Sequence, residues 1–415
     1  MKFLRRILDA QHKHFEPGAR FERLYPFFEA NDAFLFTPGQ VTAGPSHVRD
    51  AVDLKRIMIT VAAALVPCVL MALYNTGYQA NLMIAEHGAS PLPGWRTALF
   101  DMLGFVHDPA SMWASLVLGA LYFVPIFVVG FAVGALIEVG FAVVRGHEVN
   151  EGFLVTGFLY PLVLPPTLPL WQVALGIAFA TIIGKEIFGG TGMNVLNPAL
   201  LARAFVFFAY PAYMSGEVWV AAGAAADGTS GATWLARLAD GTGELAAGQL
   251  ELVSGEMVLP WWDAFTGSMA GSMGETSALA CLLGAAVLIF SQVGSWRTMA
   301  GVTVGTLVMC LTLNAIGSET NPLFSVPFHW HILVGGWAFG TVFMATDPVS
   351  SAFTDRGKWI YGAGIGLLVV LVRVVNPAYP EGMMLSILFM NMFAPLIDHF
   401  VVRANIQRRA ARYGA

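Results

Sequence analysis

The sequence predicts an all-α integral membrane protein of about ten transmembrane helices, in two inverted five-helix halves with broken helices near the midplane. Three observations predict it. Hydrophobic residues make up 56% of the 415-residue chain and charged residues only 12%, where soluble domains carry about a quarter charged. Apolar stretches of spanning length, about 20 residues, recur along the chain, and mean hydropathy is +0.65. Lysine and arginine gather in alternate loops, as the orientation of membrane segments requires. The net charge of −5 matters less than this distribution, and nucleic acid is not an expected partner.

Residues 1–55 read as a cytoplasmic basic and aromatic arm, without the short apolar run and small-residue cleavage site of a signal peptide. A first five-helix half, 56–213, holds apolar stretches at 57–74, 112–144, 152–163, 168–184 and 199–213. The second of these exceeds what one perpendicular helix needs, so it tilts or projects. The third runs into the Pro165-Pro166 break. An acidic loop, 214–258, separates this half from a second, 259–402, with stretches at 277–293, 298–316, 332–345, 359–375 and 383–402. A basic tail, 403–415, closes the chain.

Charge orients the spans. Lys2, Arg5, Arg6, Arg49, Lys55, Arg56, Arg145, Lys185, Arg297, Arg356, Lys358 and Arg403 all fall on one side of the count, while Arg96 and Arg237 fall on the other. Both termini are therefore expected in the cytoplasm and the 214–258 loop in the periplasm. Arg203 and Arg373 lie within spans. An odd number of spans per half gives related halves opposite orientation. A faint echo supports this: Gly189-Gly190-Thr191-Gly192 leads to Asn197-Pro198, and Gly335-Gly336 leads to Asp347-Pro348. Glycines followed by a proline-bearing break mark discontinuous helices, although glycine-mediated helix packing writes similar text.

The acidic loop carries the most specific signal. Asp227 precedes Ser230-Gly231-Ala232-Thr233, and the stretch resembles the site at which a flavin transferase joins the phosphate of FMN to a threonine hydroxyl. Thr233 would supply the oxygen, Gly231 and Ala232 clearance, and Asp227 and Ser230 presentation of the loop. An ordinary polar turn has a similar composition, and four residues alone do not exclude it.

Longer runs resolve the choice. Residues 188–200, with Gly189, Gly190, Gly192, Asn194 and Asn197, resemble the B subunit of the sodium-translocating NADH:quinone reductase. So do residues 46–56, 147–152 and 345–350. A sister family, the D subunit of the ferredoxin:NAD reductase complex, shares the core but lacks the long basic arm. The resemblance implies covalent FMN on Thr233, a noncovalent riboflavin within the membrane region, and a ubiquinone site. It also implies partner subunits bearing flavin, FAD and iron–sulfur centres, a flavin transferase, Na+ or H+ export, and a bacterial inner membrane location.

Asn194, Asn197 and Asp347 are candidates to hold riboflavin, because a flavin edge needs amide-type partners where water is scarce. Gly189, Gly190 and Gly192 would give its ring close access to backbone. Gly134, Ala135 and Glu138 are the quinone-site candidates; the family carries a glycine pair where this chain has Gly134-Ala135. Acids in the membrane are functional suspects by default, so Glu138, Glu151, Glu186 and Asp398 are candidates for an ion path, with pairing to neighbouring Arg145, Lys185 or Arg403 as the structural alternative. No metal site is expected: His329-Trp330-His331 reads as interfacial, and Cys68, Cys281 and Cys310 read as buried thiols. With no Gly-x-Gly-x-x-Gly fingerprint, NADH oxidation falls to partner subunits. The competing reading is a secondary transporter without flavin.

Overall fold

A computed structural model describes residues 2–15, 18, 19, 21, 22, 25, 28, 32, 54–146, 152–223, 231–246, 248–253, 257–376 and 379–412. Glu151, Asp227 and Ser230 lie outside these, as do most of the arm and residues 147–151.

After α1 (Lys2–His12) come two long helices, α2 (Leu54–Glu86) and α4 (Met112–Arg145), with short α3 (Trp95–Met102) between them. At 33 and 34 residues the long pair spans about 50 Å each, well beyond a hydrocarbon core of about 30 Å. The length of α4 was expected. That of α2 was not, since its apolar stretch ends near Tyr74. The helix continues because its polar second half is packed rather than solvated. Asn75 Nδ2 donates to Met269 O at 2.9 Å and Asn81 Nδ2 to Ser115 Oγ at 3.3 Å. Gly77 and Gly119 bring the two helix backbones into contact beside them.

The remaining helices of the first half are α5 (Gly152–Leu162), α6 (Leu170–Gly184) and α7 (Pro198–Ala209). The acidic loop is more ordered than its composition suggests: it folds α8 (Trp234–Asp240) and an antiparallel sheet of β1 (Gly243–Ala246), β2 (Gln249–Leu252) and β3 (Val258–Leu259). Helix α9 (Trp261–Thr266) leads to the second half. That half comprises α10 (Ala278–Phe290), α11 (Trp296–Ile316), α12 (Phe328–Leu333), α13 (Trp337–Phe339, continued by a π turn through Met344), α14 (Asp355–Val375) and α15 (Met383–Arg412).

Every predicted stretch thus holds helix. Among the described residues six helical segments are long and apolar enough to cross a membrane, and α5, α7 and α10 are shorter. The predicted span 332–345 is split between α12 and α13, where Gly335 takes a positive φ of 70° that a β-carbon would strain.

Short helices in a membrane leave backbone groups that only protein can satisfy. The two halves satisfy each other. Gly274 N donates to Leu162 O at 2.7 Å and Met273 N to Leu164 O at 3.2 Å, joining the segment before α10 to the end of α5. The Asn197-Pro198 and Asp347-Pro348 breaks also meet, Asn197 Nδ2 lying 3.5 Å from Asp347 Oδ2. Helices α11 and α14 close the second half through glycines: a β-carbon on Gly305 would overlap Ala363 O, and one on Gly366 would overlap Val302 O. Small residues at four-residue spacing let backbones touch where lipid offers no hydrophobic drive.

Candidate functional site

Two polar clefts lie toward opposite ends of α14, and the breaks build both. One is lined by Glu381, which follows that helix, the other by Asp347, Pro348 and Val349, which precede it.

Thr233 belongs to the first. It is the N-cap of α8, its Oγ1 accepting from Ala236 N at 3.3 Å, and it is buried. Gly231 packs against Glu217: a β-carbon there would meet Glu217 O at 2.8 Å. The glycine expected to give an approaching enzyme clearance is thus required by the fold, and Ala232 is buried beside it. Thr233 shares its cleft with Ser272, Glu275, Gly335, Gly336 and Glu381. Trp234, Met269 and Ala270 continue the wall into a roomier cavity of about 290 Å³, bounded by Tyr78, Met257 and Arg237. Arg237 is itself buried, its guanidinium 4.9 Å from the Trp234 ring centroid. Burial lowers its pKa below the ordinary arginine value, and Asp240 opposes that shift.

Beneath this cleft lies a charge cluster that sequence reasoning missed. Arg203 Nη1 donates to Glu275 Oε1 at 3.1 Å and Oε2 at 3.0 Å, and Nη2 to Ser272 Oγ at 3.3 Å. Arg373 is fully buried and donates to the carbonyls of His331 (2.6 Å), Val334 (3.0 Å) and Glu381 (3.1 Å). Gly335 and Gly336 separate the groups: a β-carbon on Gly336 would lie 2.6 Å from Glu275 Oε1, and one on Gly335 2.8 Å from Glu381 Oε2 and 3.0 Å from Arg373 Nη2. Two arginines thus face two glutamates across a glycine break. Arg203 and Arg373 were visible as charges inside apolar spans, a signal that marks function. Glu275 was hidden because it lies just before its helix. Trp330 and His331 are buried under Arg373 rather than interfacial, since this carbonyl cage needs them packed inside.

The second cleft, of about 80 Å³, brings together three riboflavin candidates. Asn194, Asn197 and Asp347 line it with Thr156, Lys185 and Thr346. Asn197 caps α7 through Oδ1, which accepts from Ala199 N and Leu200 N at 3.0 and 3.2 Å. Asp347 accepts from Val349 N at 3.1 Å and Ser350 Oγ at 2.7 Å. Asn194 Nδ2 donates to Leu196 O at 3.0 Å. Gly189, Gly190 and Gly192 do not line the wall; their positive φ values of 122°, 95° and 88° form the turn that delivers Thr191 and Asn194 to it.

The three described acids among the ion-path candidates are engaged. Glu138 is buried and paired with Lys185 Nζ. Glu186 accepts from Arg145 Nη1 at 3.0 Å while its carbonyl accepts from Nη2 at 2.7 Å. Asp398, half-buried on α15, accepts from Phe353 N (2.6 Å), Thr354 N (3.0 Å) and Thr354 Oγ1 (2.5 Å), tying α15 to the start of α14. Gly134, one turn before Glu138, faces Phe153 so closely that a β-carbon would overlap the ring. Ala135, beside it, is partly buried against the core. Cys68 and Cys281 are buried free thiols, their sulfurs 3.9 Å apart.

Broken helices meeting at polar clefts, with paired charges between them, define a membrane protein that handles charge or a polar ligand inside the bilayer. The chain belongs to the NQR2, RnfD, RnfE family, whose profile matches residues 41–407. It is 55% identical over 417 residues to the B subunit of the Na(+)-translocating NADH-quinone reductase of Pseudomonas paraeruginosa (strain PA7), covering 99% of this chain and 100% of that one. The protein of the same name from Chromohalobacter salexigens is 54% identical over 413 residues, 99% of this chain and 97% of its own.

Proposed function

We propose that the chain is the membrane subunit of a redox-driven sodium pump that carries FMN on Thr233 and riboflavin at the Asn194–Asn197–Asp347 cleft. Its likeness over full length to proteins named for sodium translocation and quinone reduction supports the overall role. One observation carries the flavin reading: Thr233, in a stretch that resembles a flavinylation motif, lines a cleft that opens past Trp234 into a cavity of about 290 Å³. That is near the lower end of ligand pockets, about 300 Å³. Aromatic and sulfur-bearing walls suit a flat ring, and Arg237 suits a phosphate. The other cleft offers amide and carboxylate groups to a ring edge, but its 80 Å³ encloses only part of a flavin, so the remainder lies across its mouth.

Bound flavins would supply one-electron transfer from partner subunits bearing flavin, FAD and iron–sulfur centres toward ubiquinone. The chain's own residues position and insulate. Arg203 and Asn197 lie on α7 about 9 Å apart by helix rise, so one helix links the two clefts. The paired charges offset one another at both ends, with the Asp347 carboxyl additional at the second, and Glu138, Glu186 and Asp398 supply the hard oxygens that a sodium path needs. The charge pattern supports both termini in the cytoplasm and the Thr233 loop in the periplasm of a two-membrane bacterium.

The test is ultraviolet in-gel fluorescence of the denatured chain, expressed with an active flavin transferase. Wild type and Thr233→Ser are expected to give a fluorescent band and Thr233→Ala none. A dark wild-type band removes the flavin reading and favours a transporter without it.

A further inference from the structure

Lys185 stands where two requirements conflict. It is buried, at 3% exposure, and a buried ammonium needs a counter-charge. Its Nζ finds one in the Glu138 carboxylate, carried from α4 and equally buried. The same lysine lines the cleft with Asn194, Asn197 and Asp347. It sits at the C-cap of α6, where the helix dipole favours a cation. The next residue, Glu186, has its own cation in Arg145 and does not compete for it. Arginine holds the bond that fixes the turn; lysine, a compact charge on a flexible four-carbon stem, holds the one beside the cleft.

We infer that, given the flavin proposed above at this cleft, Lys185 is a positioning residue whose ammonium is shared between Glu138 and the ring, so that charge arriving on the ring draws the ammonium away and lets a metal cation join the Glu138 carboxylate. The electron comes from a reduced flavin at the Thr233 end, which is thereby oxidised by one electron. No bond is made at Lys185 and no proton leaves it; its ammonium turns from one anion to the other. Sodium then replaces it at Glu138. In a low-dielectric site either anion left alone is costly, so ring charge and cation entry are tied together. A pair fixed in place would also bias the ring's electron affinity, but that bias would not depend on sodium.

The experiment is spectroelectrochemical titration of the noncovalent riboflavin in the purified complex, at low and high sodium, with wild type, Lys185→Met, Lys185→Arg and Glu138→Gln. High sodium should move the wild-type equilibrium toward reduced flavin and leave Lys185→Met and Glu138→Gln unmoved. In Lys185→Met the one-electron equilibrium should move at least tenfold toward oxidised flavin, about 59 mV. Lys185→Arg should stay near wild type. Glu138→Gln, which releases the ammonium toward the ring, should move at least tenfold the opposite way. Should Lys185→Met lose its flavin, the sign in Glu138→Gln decides alone. Lys185→Met and Glu138→Gln both within twofold of wild type, or shifted in the same direction, or a wild-type equilibrium that sodium moves by less than twofold, overturn the inference while the bound riboflavin upholds the cleft. A wild-type complex that releases no riboflavin on acid extraction overturns the cleft assignment and the inference with it.

Discussion

Removing Arg203 alone should cost far more than removing Arg203 and Glu275 together. In Arg203→Met the side chain keeps similar bulk and loses its charge. Glu275 then loses both bonds, at 3.1 and 3.0 Å, yet stays buried at 5% exposure. Arg373 cannot turn to it, because three carbonyls hold its guanidinium. Stranding one member of a buried pair costs about 3–5 kcal/mol, and replacing both by apolar groups is often neutral. The double variant Arg203→Met with Glu275→Met should therefore lie within about 1 kcal/mol of wild type. The chain supplies its own probe, since Cys68, Cys281 and Cys310 are all buried. A maleimide polymer added during denaturation of the intact complex labels them only on unfolding, and a gel shift reads this chain among its partners. Equal losses in single and double variants would refute the reasoning, showing that the two groups do not compensate each other.

Four further outcomes follow from the packing and the acids. Gly366→Val should destabilise by about 1–3 kcal/mol through overpacking against Val302 O, measured by the same labelling. Asn197→Ala should lose about 1 kcal/mol with the α7 cap and lower the noncovalent flavin content on acid extraction. Asp398→Asn and Glu138→Gln should each weaken sodium-stimulated quinone reduction in the complex; full retention in both removes them from the ion path. Burial also pushes the His107 imidazole below its ordinary pKa, against the pull of Asp101, while Asn81 Oδ1 lies 2.9 Å from Nδ1. The folded state thus binds fewer protons than the unfolded one just below pH about 6.5, and stability should fall as pH drops through that window. His107→Phe, which keeps the stacking on Phe100, should flatten that dependence.

Periodicity and composition made the helices legible, because each span must be apolar over most of its length whatever it packs against. The breaks were legible too, as a proline cannot continue a helix but suits its first position, where Pro198 opens α7. Pairing across the chain was not. Arg203 and Glu275 are 72 positions apart, and only the joining of α5 to the segment before α10 brings them together. The polar half of α2 read as a membrane exit because asparagine looks the same whether water or Met269 O satisfies it. Thr233 read as a residue on a reachable turn, yet it is buried, in a cleft it shares with Met269, Glu275 and Gly335. A sequence motif names the hydroxyl but carries no information on how deep it lies.

The two clefts share an electrostatic design. At one, Arg203 and Arg373 accompany Glu275 and Glu381; at the other, Arg145 and Lys185 accompany Glu186 and Glu138. The named charges of each set sum to zero, and Asp347 adds a carboxyl to the second cleft. An electron placed beside either set leaves one charge uncompensated where water is scarce, and that imbalance can be relieved only by a cation. Moving that cation against about 100 mV takes about 2.3 kcal/mol, less than the cost of about 3–5 kcal/mol for stranding one buried charge. The penalty for imbalance is thus large enough to drive transport, provided the compensating charge can move. Arg203 is fixed by both oxygens of Glu275 and by Ser272, and Arg373 by its carbonyl cage, so the Thr233 end resists rearrangement. Lys185, with a flexible stem and an anion on one side of a cleft, is the member built to move. Ion coupling in the proposed pump therefore belongs at the Asn197–Asp347 cleft, and electron entry at the Thr233 end.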